Sequence, residues 1–243
     1  DRFVSTLQKP TCILKSLHVT HCGISSEALR MLAMALETNL TLTLLNLSGN
    51  DIEDVGAKHL AVSLENNYNL LSFILWDNCI GRDGANYLAS CLGRNGTLRD
   101  LSLGYNSIGD TGLVHLSKAF SINVALTSLN VWRNGIGNRG LERLAKSLLE
   151  NGCLTHLGLA RNRFGQASAA AFSVALTANT ILLSLDLQGC GIHDELAEWF
   201  AAGLAGNGTL QSVTLWENEV GDVGAEKIAN ALQNNVGLTD LNL

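Results

Sequence analysis

The sequence has very little proline: Pro10 is the only one in 243 residues, and it precedes the regular pattern described below. Near absence of proline beside 24 glycines does not suit a loop-rich architecture; it suits many short turns that need positive φ. Aromatic residues make up only 5%. No apolar run approaches the roughly 20 residues that a membrane-crossing helix needs. Asp1 to Lys9 lack the basic-then-apolar order of a secretory signal. A net charge of −6 with both signs mixed argues against nonspecific binding to nucleic-acid phosphates. G-x-S-x-G, Walker and H-E-x-x-H motifs are absent, so no enzyme chemistry, metal or cofactor is expected.

The six cysteines (Cys12, Cys22, Cys79, Cys91, Cys153 and Cys190) have no paired spacing and no C-x-x-C. A chain this long with a large core does not need disulfides, so they read as free thiols in a reducing compartment, the cytoplasm. Hydrophobic residues reach 47%, which is ample for such a core.

Leucine is the organising residue. Leu14, Leu42, Leu70, Leu98, Leu126, Leu154, Leu182, Leu210 and Leu238 follow one another at intervals of 28 residues with no insertion or deletion. Three residues after each comes a second apolar side chain, from Leu17 to Leu241, and two further on a third, from Val19 to Leu243. That L-x-x-L-x-L core has the period-2 tail of a short strand with one buried face. Eight residues after the leading leucine stands an amide or a thiol: Cys22, Asn50, Asn78, Asn106, Asn134, Asn162, Cys190 and Asn218. An asparagine there can bond turn backbone above and below, forming a buried ladder along the array.

The second half of each repeat reads as a helix, with Gly56, Leu60 and Leu64 four apart and Ala57 and Ala61 beside them. Each helix meets an asparagine (Asn39, Asn67, Asn95, Asn123, Asn151, Asn179, Asn207, Asn235), expected to end it in the left-handed conformation. Gly109, Gly137 and Gly221 recur at one phase and read as turn glycines. Strand, helix and parallel strand form a right-handed crossover unit, and stacking helices beside narrower strands must curve the array. The expected fold is therefore α/β: a solenoid, or horseshoe, with a concave parallel sheet and convex helices.

The signature L-x-x-L-x-L-x-x-N/C-x-I, with G-A-x-x-L-A-x-x-L helices, resembles the ribonuclease-inhibitor type of leucine-rich repeat. Leu44 to Leu64 and Val213 to Leu232 carry it most fully, and it covers residues 14 to 243. Similar repeats occur in ribonuclease inhibitor, NOD-like receptors, the GTPase-activating protein for Ran and actin-capping regulators. Ribonuclease inhibitor alternates two repeat types and is rich in cysteine, whereas the single repeat type here is closer to the repeat region of NOD-like receptors. The resemblance implies a protein-binding or ligand-sensing scaffold in a larger intracellular protein. A GTPase regulator resembling the Ran activator, and a structural spacer or engineered array, are the alternatives. Residues 1–13 read as the remnant of a preceding repeat or a flank. Residues 14–243 read as eight 28-residue repeats plus the first strand of a ninth, with uncapped ends expected of a segment of a longer protein.

Phase within the repeat also locates a candidate binding face. Three of the four tryptophans, Trp76, Trp132 and Trp216, share the position six residues after the leading leucine, together with Thr20, Ser48, Gly104, Ala160 and Gln188. The next position holds His21, Gly49, Asp77, Tyr105, Arg133, Arg161, Gly189 and Glu217. Trp, Tyr and Arg dominate binding hot spots, so another protein or macromolecular ligand is expected on the concave face. With strands about 4.8 Å apart, Trp76 and Trp132 should lie roughly 10 Å from each other across Tyr105. Acidic Asp51, Glu53, Asp54 and Asp77 lie toward one end, Arg133, Arg161 and Arg163 in the middle, and Glu217 and Glu219 toward the other. A central basic patch beside Trp132 could take a carboxylate or phosphate. His18, His21 and Cys22 only superficially resemble a metal site, since Cys22 falls in the buried ladder. Three of four N-glycosylation sequons begin at helix-ending asparagines, Asn39, Asn95 and Asn207; the fourth begins at Asn46. Trp199, on a helix where Leu196 replaces the usual glycine, marks either a convex contact or a repacked repeat.

Overall fold

The structure is a computed structural model that describes residues 2–9 and 11–243; Asp1 and Pro10, both noted above, lie outside the described residues. After α1 (Arg2–Leu7) the chain alternates strand and helix. The strands are β1 (Ser16–His18), β2 (Leu44–Asn46), β3 (Ser72–Ile74), β4 (Asp100–Ser102), β5 (Ser128–Asn130), β6 (His156–Gly158), β7 (Ser184–Asp186), β8 (Ser212–Thr214) and β9 (Asp240–Asn242). Between them lie α2 (Ser26–Thr38), α3 (Glu53–Glu65), α4 (Arg82–Leu92), α5 (Gly109–Phe120), α6 (Asn138–Leu148), α7 (Gln166–Ala178), α8 (Asp194–Ala205) and α9 (Asp222–Leu232). The strands form one parallel sheet in sequence order, with Leu17 beside Leu45, Leu45 beside Phe73, and so on without slip. Strands sit about 4.8 Å apart and helices are about 10 Å wide, so the sheet lines the concave side of a solenoid.

One core runs the length of the array. The middle residue of each strand points into it, as do Leu47, Leu75, Leu103, Val131, Leu159, Leu187 and Leu215 just beyond the strands. Opposite them lie helix residues such as Leu60, Leu88, Leu116 and Leu144. Each fully buried leucine or phenylalanine contributes about 1.5–3 kcal/mol. Around α7 and α8 the filling changes: Phe164 meets Phe172 and Phe200 edge-on at 5.2 and 5.4 Å, and Leu196 is buried. Trp199 remains 39% exposed on the convex side of that repacked segment.

The asparagine ladder forms as its spacing predicts. Asn78 Nδ2 donates to the Leu47 carbonyl 31 residues earlier at 3.0 Å, and Asn78 Oδ1 accepts from the Asn50 N–H at 2.9 Å. Cys190 takes an asparagine's place, its thiol donating to the Leu159 carbonyl at 3.4 Å. Cys22 differs from the expectation: it is exposed, and its thiol turns to the Thr20 carbonyl at 3.2 Å. Among the described residues its strand is the first of the sheet, and none of them supplies a carbonyl to receive it in the way Leu159 receives Cys190.

The helix-ending asparagines also correct their expected role. None has positive φ, and Asn39 and Asn179 are extended at φ −75° and −79°. They build a second ladder instead. Asn67 Nδ2 donates to the Leu36 carbonyl at 2.7 Å, and Asn67 Oδ1 accepts from the N–H groups of Asn69 and Leu70 at 3.0 and 2.8 Å. The sequon asparagines Asn39, Asn95 and Asn207 are buried in it. Among the described residues, no buried side-chain nitrogen or oxygen lacks a partner.

A further tie links helices of adjacent repeats. Asp54, at the start of α3, accepts from the Gly81 and Gly84 N–H groups at the start of α4, at 2.7 and 2.9 Å. Asp110 does the same for Gly137 and Gly140 of α6, and Asp194 for Gly221 and Gly224 of α9. Gly137 and Gly221 are thus extended helix caps rather than left-handed turn residues; of the three phase-mates only Gly109 has positive φ.

Replacing Asn134 by alanine removes its 2.8 Å bond to the Leu103 carbonyl and the acceptor of the Ile108 N–H, and should cost about 2–3 kcal/mol in urea unfolding. Asn134→Cys should recover part of that, as Cys190 does; equal losses would contradict the ladder account. A second outcome concerns pH. Burial pushes the Cys91 and Cys190 thiols from 9.0 up to about 12. Unfolded thiols ionise near 9.0 and release protons that the folded state still holds, so this stability is complete below that pH and lost as pH rises toward 12. The unfolding midpoint should fall more steeply with alkaline pH in the native sequence than in a Cys91→Ala/Cys190→Ala variant.

Candidate functional site

Past each strand the chain makes one sharp bend before the asparagine ladder, and that bend fixes the site. All eight residues of the bend row have positive φ: His21, Gly49, Asp77, Tyr105, Arg133, Arg161, Gly189 and Glu217, between 49° and 66°. Two are glycine, for which this conformation is free. The other six carry a Cβ and pay about 1–2 kcal/mol each for it. The bend turns their side chains off the strand ends toward solvent, where Tyr105, Arg133, Arg161 and Glu217 are exposed and Asp77 is half-buried.

The tryptophan row beside it is less open than expected. Ser48, Gly104 and Ala160 are buried, Trp76 and Trp132 half-buried, and only Trp216, at 50%, is exposed. Trp132 is positioned from two sides. Its backbone N–H donates to Asn130 Oδ1 at 3.0 Å, and its indole lies over Gly104, where any Cβ would fall 1.9 Å from the ring nitrogen. Tyr105 stacks on Trp132 with ring centres 5.7 Å apart, and the Arg133 guanidinium sits 4.6 Å from the Tyr105 ring centre. Trp76 belongs to a different cluster: His21 reaches across Gly49 and meets it edge-on at 5.4 Å.

The charges are also rearranged. Arg161 Nη2 pairs with Glu217 Oε2 at 2.5 Å across Gly189, and Gln188 Nε2 donates to the same oxygen at 2.9 Å. The expected central basic patch is therefore divided. Arg133 lines a depression of about 310 Å³ with Asp77, Cys79, Tyr105, Asn106 and Ser107. Arg161 and Arg163 line another of about 740 Å³, with His193 and Glu219 on its far wall. The histidine–cysteine cluster disperses: His18 Nε2 bonds Ser16 Oγ at 2.9 Å, while His21 turns to Trp76 and Cys22 to Thr20.

Sequence reasoning overlooked the floor of the concave face. The first strand position carries Ser16, Ser72, Ser128, Ser184 and Ser212, interspersed with Leu44, Asp100, His156 and Asp240, and Ser72 Oγ donates to Asp100 Oδ2 at 2.7 Å. Period 2 from the buried strand leucines would have found it. The shared left-handed bend was signalled by Gly49 and Gly189 among charged residues at one phase.

With this geometry in place, comparison with known proteins adds the following. A family profile described as leucine-rich repeat matches residues 12–33, 38–61, 94–117, 123–145, 178–195 and 206–229, more than half of the chain. The mouse NACHT, LRR and PYD domains-containing proteins 4E and 4C are 40% and 37% identical over 62 residues. Each match takes in 24% of this chain and only 6% of the relative's length. Among solved structures, the Caenorhabditis elegans tropomodulin C-terminal domain is similar with a TM-score of 0.51 and 15% identity, over 59% of this chain and 87% of that one. Leiomodin-1 actin-binding site 2 gives 0.47 and 21%, over 73% and 84%. The tropomodulin likeness is one of fold.

If the bend row is held against its conformational preference, Arg133→Gly should leave stability unchanged or raise it by up to about 1 kcal/mol. A loss larger than that in chemical denaturation would show that Arg133 serves the fold.

Proposed function

This chain belongs to the leucine-rich repeat family, and from that premise we propose that it holds a protein partner on its concave rim, as the ligand-sensing part of a larger intracellular protein of the NOD-like receptor kind. It acts by binding and not by catalysis. The observation that carries this reading is the bend row. Six of its eight positions keep side chains in a conformation that glycine would adopt without cost. A bare spacer has no use for that expense, whereas a recognition surface needs the tyrosine, arginines and acids that the row displays. Exposed Trp216 and the Tyr105–Trp132 stack supply rigid aromatic area beside them. The free state of all six cysteines fits a reducing compartment such as the cytoplasm. The short likeness to the two mouse NACHT, LRR and PYD proteins supports the receptor assignment.

A photo-crosslinking residue placed at Trp216 on the rim, and separately at exposed Val174 on convex α7, tests this in cells. An adduct should form from position 216 and vanish when Tyr105 and Arg133 are both changed to alanine. Adducts from position 174 alone, or none from position 216, would overturn the concave-rim reading.

A further inference from the structure

Two pairs of opposite charges stand in the same relation on the bend row, and only one of them closes. Arg161 and Glu217 are 56 residues apart, two repeats, with Gly189 between them. Glycine leaves the space empty: a Cβ there would lie 3.3 Å from Arg161 Cγ and 3.6 Å from Glu217 Oε2. The two side chains meet over it.

Asp77 and Arg133 are likewise two repeats apart, but Tyr105 stands between them. Its ring is fixed by the stack on Trp132, and Trp132 in turn by its seat over Gly104. Arg133 rests against the Tyr105 ring instead of crossing it. Among the described residues neither Asp77 nor Arg133 makes an ion pair, although both line the same depression. Its acidic end is reinforced by Asp51, which accepts from the Cys79 thiol at 3.7 Å on the depression's wall. Tyr105 therefore acts as a spacer that holds a carboxylate and a guanidinium apart, about two strand spacings or roughly 10 Å.

Resting on the reading of the concave rim as a protein-binding surface, we propose that Asp77, Tyr105 and Arg133 form a recognition site for a zwitterionic group of the partner. The group is a C-terminal lysine: its side-chain ammonium would meet Asp77, its terminal carboxylate would meet Arg133, and the methylenes between would cross the exposed edge of Tyr105. A ligand bearing both charges satisfies both ends at once. One bearing a single charge leaves the other end as it was.

The probe is ε-aminocaproate, with caproate and hexylamine as single-charge controls, titrated against the folded protein and followed by the Trp132 indole resonance. ε-Aminocaproate should bind on the order of tenfold more tightly than either control. Asp77→Asn should remove its advantage over caproate, and Arg133→Gln its advantage over hexylamine. Tyr105→Gly, at φ 52°, should fold with an undiminished melting temperature and lose the binding, because Asp77 and Arg133 can then close on each other. Equal binding of all three probes, or wild-type binding by Tyr105→Gly, overturns the proposal. Failure of the probe with a persisting adduct from position 216 removes this site alone. Probe binding without that adduct overturns the partner assignment and leaves a pocket for a small zwitterion.

Discussion

A buried amide that must be satisfied by the neighbouring repeat governs this molecule. Asn50, Asn78, Asn134 and Asn162 each give Nδ2 protons to a carbonyl 31 residues earlier, and so tie one repeat to the one before it. Left unpaired in the core, each such group would cost about 1–3 kcal/mol. A single residue inserted between the strand and its bend would carry the amide past its acceptor. The unbroken interval of 28 residues is the sequence's record of that geometric demand, and the flat register of the sheet follows from it.

The asparagines at the helix ends impose a matching constraint on the other side of each repeat. Their amides bind the end of the preceding helix while their carbonyl oxygens hold the turn into the next strand. With hydrogen-bonded rails at both edges, the leucines between can pack without deciding the register themselves. Substitutions such as Phe73 for leucine, or the trio Phe164, Phe172 and Phe200, are absorbed locally.

Much of this was legible in the sequence. Strict periodicity exposed the fold, the phase of the strands and the first ladder, because burial acts on every repeat alike. The second ladder was misread because an asparagine after a helix also suits a left-handed cap, and only backbone angles separate the two uses. The rim was legible in position but not in state. Phase located Trp132, Arg133 and Arg161, yet burial of Trp132 depends on Gly104 in the preceding repeat. Pairing of Arg161 depends on Gly189 and Glu217, one and two repeats ahead. A repeat-by-repeat reading treats positions as equivalent; the site arises from how unlike residues at one phase lean on one another.

The aspartates that cap the following helix give the solenoid a direction. Asp54, Asp110 and Asp194 lend their carboxylates forward along the chain and receive no such cap from the repeat they serve. A break in the array between lender and borrower therefore differs in kind on its two sides. The downstream piece begins with two bare N–H groups facing water, while the upstream piece loses the asparagine oxygen that took the N–H of Ile52, Ile108 or Ile192 at its helix start. At these three joints a carboxylate is lent forward and an amide oxygen backward, so a local opening bares a helix start on either side of it.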